Sequence, residues 1–113
     1  MIIVIFFVLE NSVIWNDMDI QEIVASLTQI EHGFKHIMLA GDKIYATSAL
    51  DHYAVAIGLL YEESYQGRML GTYILGLLAP VDVRALVSLR KVVVRDENLR
   101  VQEMLAKAFD HYC

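Results

Sequence analysis

The chain has 113 residues, 57% of them hydrophobic and 20% charged, and carries a formal net charge of −5 at pH 7. This length corresponds to one domain. An acidic chain is not expected to bind nucleic acid strongly without sequence preference, because phosphate neutralisation supplies most of that binding. The hydrophobic share exceeds that of an average globular domain, so the excess must be buried against a partner surface or in a membrane.

The sequence does not indicate a membrane protein or a secreted one. The longest apolar run, residues 1–9, falls short of the roughly 20 residues that a membrane-spanning helix needs. No basic residue precedes this run as in a signal peptide. The single cysteine, Cys113, cannot form an internal disulfide, which fits a reducing compartment. We expect a cytoplasmic protein with no membrane partner.

Residues 1–17 differ from the rest of the chain and form an atypical N-terminal segment. They are rich in Ile, Val and Phe, which favours a strand, but the sequence offers no convincing second strand to pair with it. Two alternatives stay open: the segment packs as a short helix, or it pairs with its copy in a second chain.

Residues 18–46 have the apolar spacing of amphipathic helices. Asp17 or Asp19 is suited to cap the first of them. Gly33 weakens the pattern, which then continues to about Tyr45. The apolar face of the first helix consists of Ile20, Ile23, Val24, Leu27 and Ile30.

Residues 51–79 predict a first pair of helices. Ser48 or Asp51 caps its first helix, and residues 62–66 form a tight corner before the second. Three glycines indicate close helix packing, and four tyrosines at helical spacing indicate core positions, with base stacking as the alternative. These residues are Gly67, Gly71 and Gly76, and Tyr53, Tyr61, Tyr65 and Tyr73.

Residues 82–113 predict a second pair, which Pro80 separates from the first because proline is tolerated at a helix start but not in its interior. Asp96 is expected to cap the last helix. Two helix pairs of about 35 residues each are typical of helical repeats, which bury their apolar faces by stacking. We therefore predict one all-α domain, residues 1–113, built as a short stack of about five to six helices.

The last predicted helix is apolar on one side and charged on the other. We expect its apolar face to be left open for another chain, which predicts a homodimer. This face consists of Val101, Met104, Leu105, Ala108, Phe109 and Tyr112. The charged residues Arg100, Glu103, Lys107 and Asp110 have the spacing of ion pairs along an exposed helix.

Metal and cofactor chemistry has little support in the sequence. His32 and His36 are spaced to face one metal ion on a helix, but no third ligand has matching spacing. The sequence contains no phosphate-binding loop, nucleophile elbow or cysteine cluster. We therefore expect no metal and no cofactor.

Several segments resemble one known family. They are 32–36 (HGFKH), 51–53 (DHY), 65–79 (YQGRMLGTYILGLLA) and 96–113 (DENLRVQEMLAKAFDHYC). These segments are similar to the first half of the DNA alkylation repair family, all-helical HEAT-like repeat proteins that include DNA glycosylases for alkylated bases. The resemblance covers about residues 20–113, and the last segment is the most specific. The position of Leu99 is often Trp in that family.

The resemblance implies duplex DNA as a partner and a link to the excision of alkylated bases. Family members are about twice this length, so the sequence is expected to represent a shortened or partial member. On the family analogy, Arg68, Arg100 and Lys107 contact phosphates. Glu103 or Asp110 then supplies the carboxylate that stabilises a cation-like sugar or positions a water.

The charge distribution agrees with a DNA contact in the second half of the chain. Residues 1–63 hold two basic groups against nine acidic ones, whereas residues 64–113 hold seven against five. A DNA role predicts a continuous positive strip that also includes Arg84 or Arg90, and Arg95. The alternative function is a non-catalytic helical-repeat module that associates with itself or with another protein.

Overall fold

The computed structural model describes residues 17–29, 34–48 and 50–112, with side chains for 20–29, 34–48 and 50–110. Within these residues the secondary structure is entirely helical. The helices are α1 (Asp17–Thr28), α2 (Phe34–Thr47), α3 (His52–Leu59), α4 (Tyr65–Leu78), α5 (Val83–Arg95) and α6 (Leu99–Tyr112). The predicted all-α helical-repeat fold is confirmed.

Polar side chains fix where α3, α4 and α5 begin. Asp51 accepts hydrogen bonds from the backbone N–H groups of the first turn of α3, and Ser64 and Asp82 do the same for α4 and α5. Each cap satisfies donors that have no partner inside the helix. Of the two predicted caps for α3, Asp51 is the one observed, whereas Ser48 accepts from the backbone N–H of Leu50.

The predicted cap of the last helix is wrong. Asn98, not Asp96, caps α6, because its Oδ1 accepts from the backbone N–H groups of Arg100 at 2.8 Å and Val101 at 3.2 Å. Asp96 lies at the C-terminal end of α5, where its N–H donates to the carbonyl of Val92. The Asp96 carboxylate binds Arg68 through Oδ2 and accepts from the backbone N–H of Asn98 through Oδ1, so it does not accept from the first turn of α6.

Helix α4 is the centre of the fold. It contacts all five other helices, most extensively α6 and α3, followed by α2, α5 and α1. Close approach requires glycine here: a Cβ at Gly71 would lie 2.8 Å from the carbonyl oxygen of Ala56, and one at Gly76 would lie 3.0 Å from the Cβ of Ala108. The predicted role in close helix packing is confirmed for Gly71 and Gly76, whereas a Cβ at Gly67 would meet the side chain of Glu62 in the corner before α4.

The expectation that the last helix leaves its apolar face open is wrong. Val101, Met104, Leu105 and Ala108 are all buried within the single chain, because α6 lies along α4 and also contacts α5. The exposed large hydrophobic residues are concentrated elsewhere, on α5 and its flanks: Val81, Val83, Val87, Val93, Val94 and Leu99. The homodimer stays a prediction, and α6 does not provide its surface.

Some predictions fall outside the described part of the chain. Residues 1–16, His32 and Cys113 are not among the described residues, so the two alternatives for the N-terminal segment and the pairing of His32 with His36 stay predictions. Among the helices that the structure describes, none combines the length and the apolar composition that crossing a bilayer requires.

Candidate functional site

The four charged residues predicted on α6 lie on one exposed side of that helix. Arg100, Glu103, Lys107 and Asp110 are all exposed, and the spacing of three, four and three residues keeps them on one face. In the described structure the ion pairs are Arg68 with Asp96 and Arg84 with Asp82. The charges of α6 are therefore displayed to solvent and not paired with one another.

Lys107 stands beside a small cleft between α2, α4 and α6, which we call the α2/α6 cleft. Its Nζ lies 5.0 Å from the centroid of the Phe34 ring, at the distance of a cation–π contact. The cleft has a volume of about 190 Å³. It is lined by Met38, Tyr73, Gly76, Leu77, Lys107 and Ala108. A cation, an aromatic ring and an apolar floor thus meet at one place.

A carboxylate that sequence reasoning did not single out holds the hydroxyl of Tyr73, one of the residues that line this cleft. Asp42 on α2 accepts a hydrogen bond of 2.5 Å from the hydroxyl of Tyr73 on α4. Burial of the Tyr73 side chain, followed by this bond and the negative charge of Asp42, raises the pKa of Tyr73 well above its ordinary value. The Tyr73 hydroxyl is therefore held as a hydrogen-bond donor. No local pattern could have paired residues 31 positions apart.

Arg68 lies away from the α2/α6 cleft, at the start of α4. Its Nε donates to Asp96 at 2.7 Å, and its Nη1 donates to the carbonyls of Glu62 and Glu63 at 3.0 and 2.8 Å. The guanidinium therefore ties the corner before α4 to the loop after α5. The structure does not bring Arg68 together with Lys107, and a phosphate contact of Arg68 stays a prediction.

A larger cleft of about 660 Å³ opens between α3 and α5, and we call it the α3/α5 cleft. The two helices meet where the Tyr53 hydroxyl and Ser88 Oγ share a hydrogen bond of 3.1 Å. The cleft is lined by Tyr53, Ile57, Leu60, Tyr61, Arg68, Ser88, Lys91, Val92, Arg95, Asp96, Glu97 and Asn98. Two cations of the predicted positive strip, Arg68 and Arg95, line this cleft, whereas the charged residues predicted on α6 do not.

Of the remaining cations of the predicted positive strip, some form an ion pair within the described structure and others do not. Arg84 binds Asp82 at 2.7 Å, and its Cζ lies 4.2 Å above the ring of Tyr53. The pairing with Asp82 keeps the pKa of Asp82 below its ordinary value. Arg90 and Arg95 are exposed on α5 and form no ion pair in the described structure. The strip is thus interrupted at Arg68 and Arg84.

Lys91 is a cleft residue that sequence reasoning missed. It lines the α3/α5 cleft together with Arg95, one helical turn further along α5. The spacing of four residues was the available signal, since it places two side chains on one helix face. The described residues contain no group of three or more histidine, cysteine or acidic side chains arranged to hold a metal ion.

Comparisons of the chain with protein-family models, curated proteins and solved structures give no match. The class of protein is therefore defined by its fold, a short all-α helical repeat with α4 at its centre. The resemblance to the DNA alkylation repair family stays a prediction, which is based on the sequence segments given above.

Proposed function

We propose that this protein binds duplex DNA through the face formed by α2, α4 and α6, as a helical-repeat protein of the DNA alkylation repair type. The observation that carries the proposal is the placement of Lys107 on exposed α6, beside the α2/α6 cleft and over Phe34. Arg100 lies two turns earlier on the same side of α6. The two cations are separated by about 10 Å along the helix axis, so one helix can contact two phosphates of one strand.

Glu103 is the candidate for the catalytic carboxylate, with Asp110 as the second. It lies on α6 between Arg100 and Lys107, so both phosphate contacts would hold a sugar near its carboxylate. A carboxylate at that place stabilises the positive charge that develops on the sugar when an alkylated base leaves. Neither carboxylate has a basic partner within ion-pair distance in the described structure, so neither is occupied by a salt bridge.

The charge of the chain sets the expected strength of DNA binding. The net charge of −5 opposes association with DNA, and few phosphate contacts are available on α6. Each phosphate contact contributes about 0.9 to the slope of log affinity against log salt. With Arg100 and Lys107 as the contacts, we expect a slope of about −2 and measurable binding at low salt only.

The test of DNA binding is fluorescence anisotropy of a labelled duplex, titrated with the full chain across a series of salt concentrations. Arg100→Gln and Lys107→Gln should each reduce the salt slope by about 1. The matched control is Lys91→Gln, which removes an exposed cation from α5 that lies outside the predicted positive strip and should leave the slope unchanged. The absence of duplex binding by the folded wild-type chain in low salt would refute the proposal.

Base excision is tested separately, on a duplex that carries an N-alkylated purine. Loss of excision in Glu103→Gln or Asp110→Asn, with DNA binding retained, assigns the catalytic carboxylate. If the wild-type chain binds the duplex but releases no base, the DNA-binding proposal stands and the catalytic role of both carboxylates is removed.

The exposed face of α5 favours a second candidate function, self-association of a non-catalytic repeat module. Val83, Val87 and Val94 lie on one side of α5, opposite its buried side, and are 72%, 45% and 82% exposed. Apolar residues grouped in this way mark interaction surfaces. Sedimentation velocity should then show a dimer that Val87→Lys dissociates. A monomer at every accessible concentration would count against this function.

A further inference from the structure

We propose that the α3/α5 cleft binds a small organic monoanion with an apolar body. This site is independent of the proposed DNA-binding face, since it lies between α3 and α5 and contains none of the exposed charged residues of α6. Three properties of the cleft support this proposal: its size, the apolar part of its lining and its uncompensated charge.

The size and lining of the cleft suit a small molecule. Its volume of about 660 Å³ falls within the range of ligand pockets, roughly 300 to 1,000 Å³. Ile57, Leu60 and Val92 give it an apolar floor. An apolar body in contact with these side chains is removed from water, which supplies affinity without specific geometry. The polar side chains around this floor would fix the orientation of the ligand.

The two tyrosines of the cleft have different roles. Tyr53 is already engaged, because its hydroxyl is bonded to Ser88 and Arg84 covers a face of its ring. Tyr61 is 74% exposed, and its hydroxyl has no hydrogen-bond partner in the described structure. Tyr61 is therefore the ring that is free to cover an aromatic or aliphatic ligand body.

The net charge of the residues that line the cleft favours a ligand with a single negative charge. Arg68 and Asp96 neutralise each other across 2.7 Å. Lys91 and Arg95 then face the single carboxylate of Glu97, which leaves an excess of one positive charge. A polyanion would meet Glu97 without enough cations to offset it. A monoanion, such as an aromatic carboxylate or sulfonate, matches the excess.

The placement of Lys91 and Arg95 gives a physical reason why the cleft would bind an anion. They are four residues apart on α5, so two like charges are neighbours on one helix face. Neither forms an ion pair in the described structure. Arg95 lies in the last turn, where the helix dipole favours a cation, but Lys91 lies a turn earlier and gains little from the dipole. An anion between them removes this repulsion.

The probe is anilinonaphthalene sulfonate, an aromatic monoanion whose fluorescence rises in an apolar site, titrated into the folded full chain without DNA. We expect saturable binding at one site. The double variant Lys91→Gln/Arg95→Gln should weaken binding by at least about tenfold, which corresponds to about 1.4 kcal/mol. The control Arg90→Gln removes a neighbouring cation outside the cleft and should change affinity by less than about twofold.

Two further measurements on the wild-type chain test the proposal if the double variant does not fold. The uncharged analogue phenyl naphthylamine should bind the wild-type chain at least about tenfold more weakly than the sulfonate. Backbone amide shifts caused by the sulfonate should be confined to residues of the α3/α5 cleft. Equal binding of the uncharged analogue, or shifts centred on another surface, would overturn the proposal.

Discussion

Arg68 donates from its Nε to the carboxylate of Asp96 at 2.7 Å and so joins the start of the central helix to the loop between α5 and α6. The two side chains are 23% and 12% exposed, which distinguishes this pair from surface ion pairs of little value. The same guanidinium donates to the carbonyls of Glu62 and Glu63. One side chain therefore holds two loops in place, and its removal leaves a shielded carboxylate without its cation, bonded only to the backbone N–H of Asn98.

Arg68→Gln should lower the free energy of unfolding by about 1–3 kcal/mol, the usual cost of losing hydrogen bonds to charged groups. Urea denaturation followed by far-UV circular dichroism measures this change. The control Arg90→Gln removes an exposed cation without an ion pair and should stay within about 0.5 kcal/mol of wild type. Equal stabilities of the two variants would show that the Arg68 contacts carry no net stabilisation.

The periodicity of apolar residues predicted the helices, because each face that packs against α4 recurs at helical spacing. The cap of α6 was wrong for a physical reason. Asp96 and Asn98 are both good cap residues. Asp96 accepts from the backbone N–H of Asn98 through Oδ1, and its Oδ2 binds Arg68, which lies 28 residues earlier in the chain. Local sequence contains no information about that contact.

Two further features could not be predicted from the sequence: the burial of the apolar face of α6 and the formation of the two clefts. Both depend on how helices that are distant in sequence pack against one another. Gly76 and Ala108 allow α4 and α6 to approach closely, which seals the apolar face that the sequence alone leaves open. The charged face of α6 was predictable from spacing. The hydrogen bond between Tyr73 and Asp42 was not, and neither was the placement of Lys91 and Tyr61 in one cleft.

Gly71→Ala should destabilise the fold by about 1–3 kcal/mol, the usual cost of overpacking. The added Cβ would lie 2.8 Å from the carbonyl oxygen of Ala56 and 2.9 Å from the Cβ of Leu59, so α3 must move away from α4. Gly58→Ala is the matched control, because a Cβ there meets nothing within 4 Å. Since alanine favours a helix, the control should gain about 0.5–1 kcal/mol. Thermal unfolding of both variants measures these changes in stability. A Gly71→Ala variant more stable than wild type would contradict the close packing of α3 on α4.

Asn98→Ala should cost about 1 kcal/mol, because two backbone N–H groups at the start of α6 lose their acceptor. Asn98→Asp keeps an acceptor at the same position and should retain most of the stability. Chemical denaturation of both variants measures the difference. If Asn98→Ala matches wild type, α6 does not begin at this cap.

Tyr73→Phe should change how stability depends on pH in the alkaline range. The pKa of Tyr73 in the folded state lies above its unfolded value, through burial and the bond to Asp42. Its contribution to stability is therefore complete below a pH of about 10 and is lost as the pH rises further toward the folded pKa. Wild type should lose stability more steeply than Tyr73→Phe above that pH.

Urea denaturation at a series of alkaline pH values measures the two slopes for Tyr73. Tyr61→Phe is the control, since that side chain is 74% exposed and forms no hydrogen bond in the described structure. Identical slopes for wild type and Tyr73→Phe would show that the Tyr73 hydroxyl is not held by Asp42 in solution.

Lys91→Glu should raise the stability of the free protein and at the same time abolish the binding of organic anions. The substitution replaces two like charges at a spacing of four residues by a glutamate placed N-terminal to Arg95, the favourable order on a helix. The gain in the free energy of unfolding should be about 0.4–1 kcal/mol and should shrink at high salt. Lys91→Gln, which removes the repulsion without adding attraction, should gain about half as much. If Lys91 only stabilised the fold, Lys91→Glu would destabilise the protein, and that result would assign Lys91 a structural role. A stabilised variant that no longer binds organic anions would show that the repulsion between Lys91 and Arg95 persists in the free chain and is removed by the ligand.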